Sequence, residues 1–167
     1  DLLFERVEIH PPVHVAVDGR FCGIIFIADT LRPGAREAIA ALKENGVRHI
    51  VMLTGDNQTT ANAIARDLGV DEVKADLMPE DKVAMIADLQ KRGYKVAMVG
   101  DGVNDAPALA RADIGIAMGG GGTQAALEAA DIALMTDDLG KIVGARTIAR
   151  RAYRTVQENL WVGVGVV

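Results

Sequence analysis

Cysteine is almost missing from this chain of 167 residues, which has one, Cys22. A single thiol excludes an intramolecular disulfide and fits a reducing compartment. Aromatic residues make up only 4% of the chain; Ala, Gly and Val abound instead, as in tightly packed α/β domains. Positive charge is in the minority, with 18 Lys and Arg against 23 Asp and Glu and a net charge of −5. With no basic stripe to neutralise phosphates, a nucleic-acid partner is excluded. No stretch reaches the roughly 18 apolar residues of a membrane span. The closing run from Leu160 to Val167 is wholly apolar or Gly but much shorter. The opening Asp1-Leu2-Leu3-Phe4-Glu5-Arg6 mixes charged and apolar residues, unlike a signal peptide. Without an initiator Met, the chain is expected to be a piece of something longer. Its length is enough for one domain with a full core.

Most of the chemistry lies in one loop, Gly100-Asp101-Gly102-Val103-Asn104-Asp105-Ala106-Pro107. It follows Lys95-Val96-Ala97-Met98-Val99, which reads as a short buried strand. Such a strand delivers two carboxylates and an amide into one loop, with glycines permitting tight turns. Clustered carboxylates at the carboxyl end of a parallel strand suit Mg2+, a hard cation that takes oxygen ligands and shares them with substrate phosphates. The plainer reading, an Asp/Asn/Gly turn with no chemistry, explains a lone Asp-Gly better than it explains Asp101, Asn104 and Asp105 together.

Around that loop the pattern alternates. Val13–Val17, Asp18-Gly19 and Phe21–Ala28 read as a β-hairpin, because Asp-Gly between β-branched runs is a strong turn signal. After Pro33, Ala35, Ala38, Ile39 and Leu42 fall at helical spacing and stop at Gly46. Val47–Leu53 is a strand candidate, and Ala61, Ile64, Ala65 and Leu68 form a second helical face ending at Gly69. A third helix starts after Pro79, buries Val83, Ile86 and Leu89, and stops at Gly93. Beyond Lys95–Val99 come a short helix near Ala106–Ala110, a strand at Asp113–Ala117, a helix after Thr123 and a strand at Asp131–Leu134. From Asp137 onward the chain reads as one long helix. Strict alternation predicts an α/β fold, a Rossmann-like parallel sheet with helices on both faces.

In such sheets functional loops gather at the carboxyl ends of the strands. Thr54-Gly55-Asp56 follows one strand, Gly100–Pro107 another, and Pro79-Glu80-Asp81-Lys82 opens a helix. A hydroxyl with free backbone N–H groups, a lysine and a magnesium cage form a kit for a phosphoryl group. Taken singly, Thr54-Gly55-Asp56 also reads as a turn in which Asp56 caps the next helix, and Lys82 as a solvated first-turn residue. Gly119–Gly122 matches no phosphate-cradle spacing and reads as a surface loop. Cys22 with His10, His14 and His49 is too irregularly spaced for a metal site.

These motifs, in this order, resemble the phosphorylation domain of P-type ATPases, which is built on the haloacid-dehalogenase-like fold. Ala112-Asp113-Ile114-Gly115-Ile116-Ala117-Met118-Gly119 and Ala129-Ala130-Asp131-Ile132-Ala133-Leu134 extend the likeness, and Asp29-Thr30-Leu31-Arg32-Pro33 resembles the hinge from the nucleotide-binding domain. Gly122-Thr123-Gln124-Ala125-Ala126-Leu127-Glu128 and Gln157-Glu158-Asn159-Leu160-Trp161 look most like the heavy-metal-transporting subclass. The resemblance implies that Thr54, with Gly55, holds a phosphoryl oxygen, that Asp56 supports this loop, and that Lys82 stabilises a phosphorylated aspartate. It further implies that Asp101 and Asp105 ligate Mg2+, that Asn104 helps orient phosphate and water, and that Asp29 and Arg32 couple the hinge on the nucleotide side. ATP and a heavy-metal cation would be the partners of the intact protein, together with its remaining domains and the membrane. Residues 1–28 would end the nucleotide-binding domain, 29–158 would form the second part of the phosphorylation domain, and 159–167 would begin a membrane helix. The setting would be the cytoplasmic side of an integral membrane protein.

One family element is missing. The nucleophile lies in an Asp-Lys-Thr-Gly-Thr segment at the end of the central strand, and no such segment occurs here. The sheet is therefore expected to be incomplete between the strand leading to Thr54 and the strand leading to Asp101. An upstream segment, another chain or a local strand such as Gly23–Ala28 would fill it. Two other readings stay open on the residues: a soluble phosphatase of the same superfamily, and a non-catalytic module that partners an ATPase.

Overall fold

The computed structural model describes residues 12–26, 31–100, 103–119 and 124–165. The chain opens with an antiparallel hairpin of β1 (Pro12–Val17) and β2 (Arg20–Phe26). Asp18 and Gly19 form its turn with φ of 50° and 77°, the left-handed pair that a two-residue hairpin loop requires. Thereafter helix and strand alternate: α1 (Ala35–Glu44), β3 (Val51–Leu53), α2 (Gln58–Leu68), β4 (Glu72–Lys74), α3 (Pro79–Lys91) and β5 (Ala97–Gly100). A 3₁₀ turn at Val103–Asp105 leads into α4 (Ala106–Arg111), then β6 (Ile114–Met118), α5 (Gln124–Ala129), β7 (Ile132–Leu134) and α6 (Gly140–Gly165).

All strand pairs after the hairpin are parallel. β3 pairs with β4, and β5, β6 and β7 form a second sheet in that order. Alternate residues of β6 feed two different layers. Ile116 and Met118 pack with Leu134 and with Ile142 of α6, and Leu42 of α1 closes on the same cluster. Ala117 points the other way, into Leu109 of α4 and Ala126 of α5. Helices therefore cover both faces of this sheet, as the alternation predicts. The abundance of small residues has its use here: Ala108, Ala117 and Ala126 have no exposed surface. A Cβ at Gly115 would lie 2.7 Å from the Leu109 carbonyl oxygen, so α4 sits almost directly on β6.

Among the described residues the two parallel sheets do not join. Among the described residues no strand pairs with the free edge of β3 or of β5, and the two do not pair with each other. The described part of Gly23–Ala28 pairs within the hairpin instead, and Ala28 lies outside the described residues.

Several boundaries differ from the sequence reading. The strand expected over Val47–Leu53 begins at Val51, because Val47 N–H still belongs to the helix end, donating to the Leu42 carbonyl at 3.0 Å. The strand expected at Lys95 begins at Ala97. β4 escaped notice because Glu72 and Lys74 flank a single Val73, which leaves no apolar period to read. α6 starts at Gly140, where the Asp138 carboxylate accepts the Gly140 N–H at 2.8 Å. No described helix is long and apolar enough to cross a membrane.

Candidate catalytic site at the carboxyl ends of the strands

Three loops meet where the sequence places its chemistry. After β3, the Thr54 hydroxyl donates to Asp56 Oδ2 at 2.8 Å and accepts the Asp56 N–H at 3.0 Å. This closed ring fixes the hydroxyl at the end of the strand. The cap of α2 is Asn57, whose side chain accepts the Thr60 N–H at 3.0 Å. The helix-cap reading of Asp56 is thereby corrected: its carboxylate turns back to Thr54.

The loop after β4 is tied to that ring through the backbone. Asp76 N–H donates to the Asp56 carbonyl at 2.8 Å, and Leu77 N–H donates to the Thr54 carbonyl at 3.1 Å. Asp76 has φ of 54°, a left-handed turn that an aspartate tolerates better than most residues. α3 starts immediately after, with Pro79 at its first position and the Asp81 carboxylate accepting the Met78 N–H at 2.9 Å. Lys82 projects from this first turn.

Lys82 Nζ donates to Asp105 Oδ1 at 2.7 Å, and both side chains are only 15% exposed. The pair ties α3 to the 3₁₀ turn that follows β5. A Cβ at Gly100 would fall 2.7 Å from Asp105 Cβ and 2.9 Å from Oδ2, so only glycine leaves room for this carboxylate over the strand end. Asn104 in the same turn is exposed. Arg32 forms an exposed ion pair with Asp137 at 3.1 Å. Asp29, Asp101 and residues 120–123 lie outside the described residues.

Thr54, Asp56, Lys82 and Asp105 thus belong to loops held together by short bonds. The oxygen groups of these loops, the Asp56 and Asp105 carboxylates and the Thr54 hydroxyl, are the chemistry a hard cation takes, and Gly100 leaves room for the Asp105 carboxylate over the strand end. Among the described residues no group of three or more His, Cys, Asp or Glu is placed to hold a metal. An ammonium has three donors, and Asp105 takes one of them, so Lys82 keeps donors for an anion.

Sequence reasoning missed a second set of aspartates at the opposite ends of the strands. Asp71 accepts the Ile50 N–H at 2.8 Å, and its own N–H donates to the Ile50 carbonyl at 2.9 Å. Asp113 does the same with Val96, at 3.0 and 2.9 Å, and Asp131 with Gly115, at 2.8 and 2.9 Å. Each clasp closes just before a strand. The Lys43 ammonium, then the Ile50 N–H, lowers the Asp71 pKa; the Val96 N–H, then Lys95 and Gln90, lowers that of Asp113. Glu72 is also lowered, by Lys74 and then His49. The recurring Ala-Asp-Ile in the two later motifs was the available signal for two of the three clasps.

Comparison with known proteins identifies the family. The family model of the haloacid dehalogenase-like hydrolases matches residues 2–113. The chain is 50% identical to the manganese-exporting P-type ATPase of Mycobacterium leprae, over 96% of this chain and 22% of that protein. It is also 50% identical to the cadmium, zinc and cobalt-transporting ATPase of Bacillus subtilis, over 92% of this chain and 22% of that protein. Among solved structures, a zinc-transporting PIB-type ATPase in its E2.Pi state superposes with a TM-score of 0.79 at 45% identity, over 92% of this chain and 25% of the other. The chain spans about a fifth of the length of the curated relatives it matches.

Proposed function

The chain belongs to the haloacid dehalogenase-like hydrolase family, and we propose that it is the catalytic half-domain of an ATP-driven heavy-metal cation pump. In this reading an aspartate supplied by an upstream segment takes the γ-phosphoryl group of ATP, and hydrolysis of the acyl phosphate drives the cation across a membrane. The relatives match equally well whether their cargo is manganese or cadmium, zinc and cobalt, so the cargo itself is decided elsewhere in the parent.

The observation that carries the reading is the Lys82–Asp105 pair, on a helix start that the backbone bonds of Asp76 and Leu77 tie to the Thr54 loop, at the ends of two strands each with an edge unpaired among the described residues. The upstream strand would enter between β3 and β5 and present its carboxylate to that pair. Thr54 would turn its hydroxyl from Asp56 to a phosphoryl oxygen, with Gly55 leaving the backbone close to it. Lys82 would keep one N–H on Asp105 and offer another to the phosphoryl group, offsetting charge as it builds. Asp101 and Asp105 would hold Mg2+, which when bound neutralises phosphate charge facing the attacking carboxylate. Asn104 would orient phosphate and water, while Asp29 and Arg32 would couple the hinge to the nucleotide side. Residues 1–28, 29–158 and 159–167 would then be the end of the nucleotide-binding domain, the second part of the phosphorylation domain and the start of a membrane helix. This chain would lie on the cytoplasmic side of the membrane.

The test is phosphoenzyme formation. The chain alone should release no phosphate from ATP or an aryl phosphate, because covalent catalysis needs the attacking carboxylate. The parent carrying Asp-Lys-Thr-Gly-Thr should form a hydroxylamine-labile phosphoenzyme from labelled ATP. Magnesium-dependent turnover by the chain alone, lost on Asp101→Ala, would replace this reading with that of a soluble phosphatase.

A further inference from the structure

The parallel register of β3 and β4 dictates how their ladder should continue. The Ile50 carbonyl accepts the Glu72 N–H at 3.3 Å, and the Thr54 N–H donates to the Lys74 carbonyl at 3.0 Å, so alternate residues on the β3 side make the bonds. One further step would send the Asp76 N–H to the Thr54 carbonyl. The Leu77 N–H takes that carbonyl instead, at 3.1 Å, and the Asp76 N–H passes on to the Asp56 carbonyl at 2.8 Å. The chain therefore carries one residue more than the ladder uses. That residue is Asp76, with its φ of 54°. An extra residue of this kind bends a strand or ends its pairing, and such residues gather beside active sites.

The turn acts on both loops of the site. Thr54 gives its N–H and its carbonyl to the segment 74–77, so the loop after β4 fixes the backbone that carries the hydroxyl. A Cβ at Gly55 would already touch the Leu77 carbonyl oxygen, 3.4 Å away, which shows how closely the two loops cross. Immediately beyond Leu77, Met78 and Pro79 open α3, and Lys82 in its first turn donates to Asp105. The direction in which α3 leaves this crossing is therefore set at Asp76. The Asp76 side chain has no such part: the residue is exposed, and no described residue bonds its carboxylate.

We propose that Asp76 is a positioning residue for phosphoryl transfer, whose left-handed backbone, and not its charge, sets the Lys82 ammonium relative to the Thr54 hydroxyl. The role rests on the pump reading, in which those two groups meet one phosphoryl group. Glycine adopts this conformation freely, aspartate and asparagine tolerate it, and a β-branched residue resists it. A side chain that resists returns the turn to the ladder and moves the start of α3, by up to the roughly 3.3 Å of one strand residue. A misplacement of about 1 Å is enough to slow a reaction by about 10²-fold.

The test compares the parent pump with its Asp76→Gly, Asp76→Asn, Asp76→Ala and Asp76→Val variants, reading phosphoenzyme formation from labelled ATP per folded molecule. Asp76→Gly and Asp76→Asn should keep the normal rate. Asp76→Val should be slower by about tenfold to a hundredfold at saturating ATP, with the half-saturating ATP concentration unchanged. Asp76→Ala should fall between, and it carries the comparison if Asp76→Val does not fold. Added to Lys82→Ala, Asp76→Val should cost less than about a further twofold, because the turn acts through the lysine. Equal loss in Asp76→Gly and Asp76→Val overturns the proposal and gives the role to the carboxylate. Equal rates in all four variants overturn it too, as does an undiminished loss in the Lys82→Ala background. Amide exchange in the 167-residue chain reads the turn without turnover: Leu77 N–H should stay protected in Asp76→Gly and lose protection in Asp76→Ala. Equal protection in those two counts against the proposal. If the wild-type parent forms no phosphoenzyme, the pump reading fails and this role with it; if it does and the variants do not sort by backbone, this role alone fails.

Discussion

The two ends of the parallel strands use the same residue type in opposite ways. At the amino ends, Asp71, Asp113 and Asp131 accept from the backbone of Ile50, Val96 and Gly115, and their own N–H groups return to the same residues. At the carboxyl ends, Asp56 and Asp105 engage a hydroxyl and an ammonium, those of Thr54 and Lys82. A backbone partner cannot leave without breaking the ladder. A side-chain partner can rotate away and be replaced by a ligand. Asp71 and Asp113 also accept from the ammonium groups of Lys43 and Lys95, so the contrast lies in the backbone clasp, which the carboxylates of Asp56 and Asp105 do not make among the described residues.

The comparison breaks most visibly if substitutions at the two ends behave alike. Lys82→Ala in the parent should lower phosphoenzyme formation by about 10²-fold or more, as removal of a preorganised charge-stabilising donor does. Phosphorylation at the normal rate by the folded variant would take Lys82 out of the proposed chemistry.

Asp131→Ala should act on stability instead. It leaves the half-buried Gly115 N–H without its acceptor, at a cost of about 1–3 kcal/mol. Denaturant midpoints should fall while activity per folded parent molecule stays constant. A loss of activity with unchanged stability would contradict the scaffold role.

The pH response comes from the amino ends. Asp71, Glu72 and Asp113 have lowered pKa values in the folded chain. As pH falls below about 4 the unfolded carboxylates protonate first, so the unfolded state binds more protons and stability declines. The stabilisation is fully present above that range and is lost as pH drops through the folded values. Asp113→Asn should flatten this acid limb in urea titrations, and an unchanged slope would mean that the Val96 clasp contributes nothing to it.

The smallest effect belongs to Asp137→Ala. Its exposed pair with Arg32 should be worth less than about 1 kcal/mol and should weaken further in salt. A larger, salt-independent loss would give the hinge a structural weight that its exposure does not suggest.

Much of this was legible in the sequence, and for identifiable reasons. Gly69 ends α2, Pro79 opens α3, and Asp18-Gly19 makes the hairpin turn, because each relies on backbone preferences local to the residue. Thr54, Lys82 and Asp105 were nominated by motif, and their loops do meet in the structure. The clasps were not legible as clasps, since each joins positions 16 to 21 residues apart and depends on parallel pairing. β4 was invisible because an edge strand of alternating charge has no apolar period.

The clasps also act as a ruler. Thr54 lies four positions after the clasped Ile50, and Gly100 lies four positions after the clasped Val96. At about 3.3 Å per residue, each half-sheet therefore releases its functional loop about 13 Å from its baseline. The two halves carry the same measure although, among the described residues, their strands do not pair with each other. A two-residue insertion in β5 would preserve the face on which every side chain points, yet lift Asp105 by about 7 Å relative to Thr54. The level of the two loops is thus written in strand length, independently of the residues that populate them.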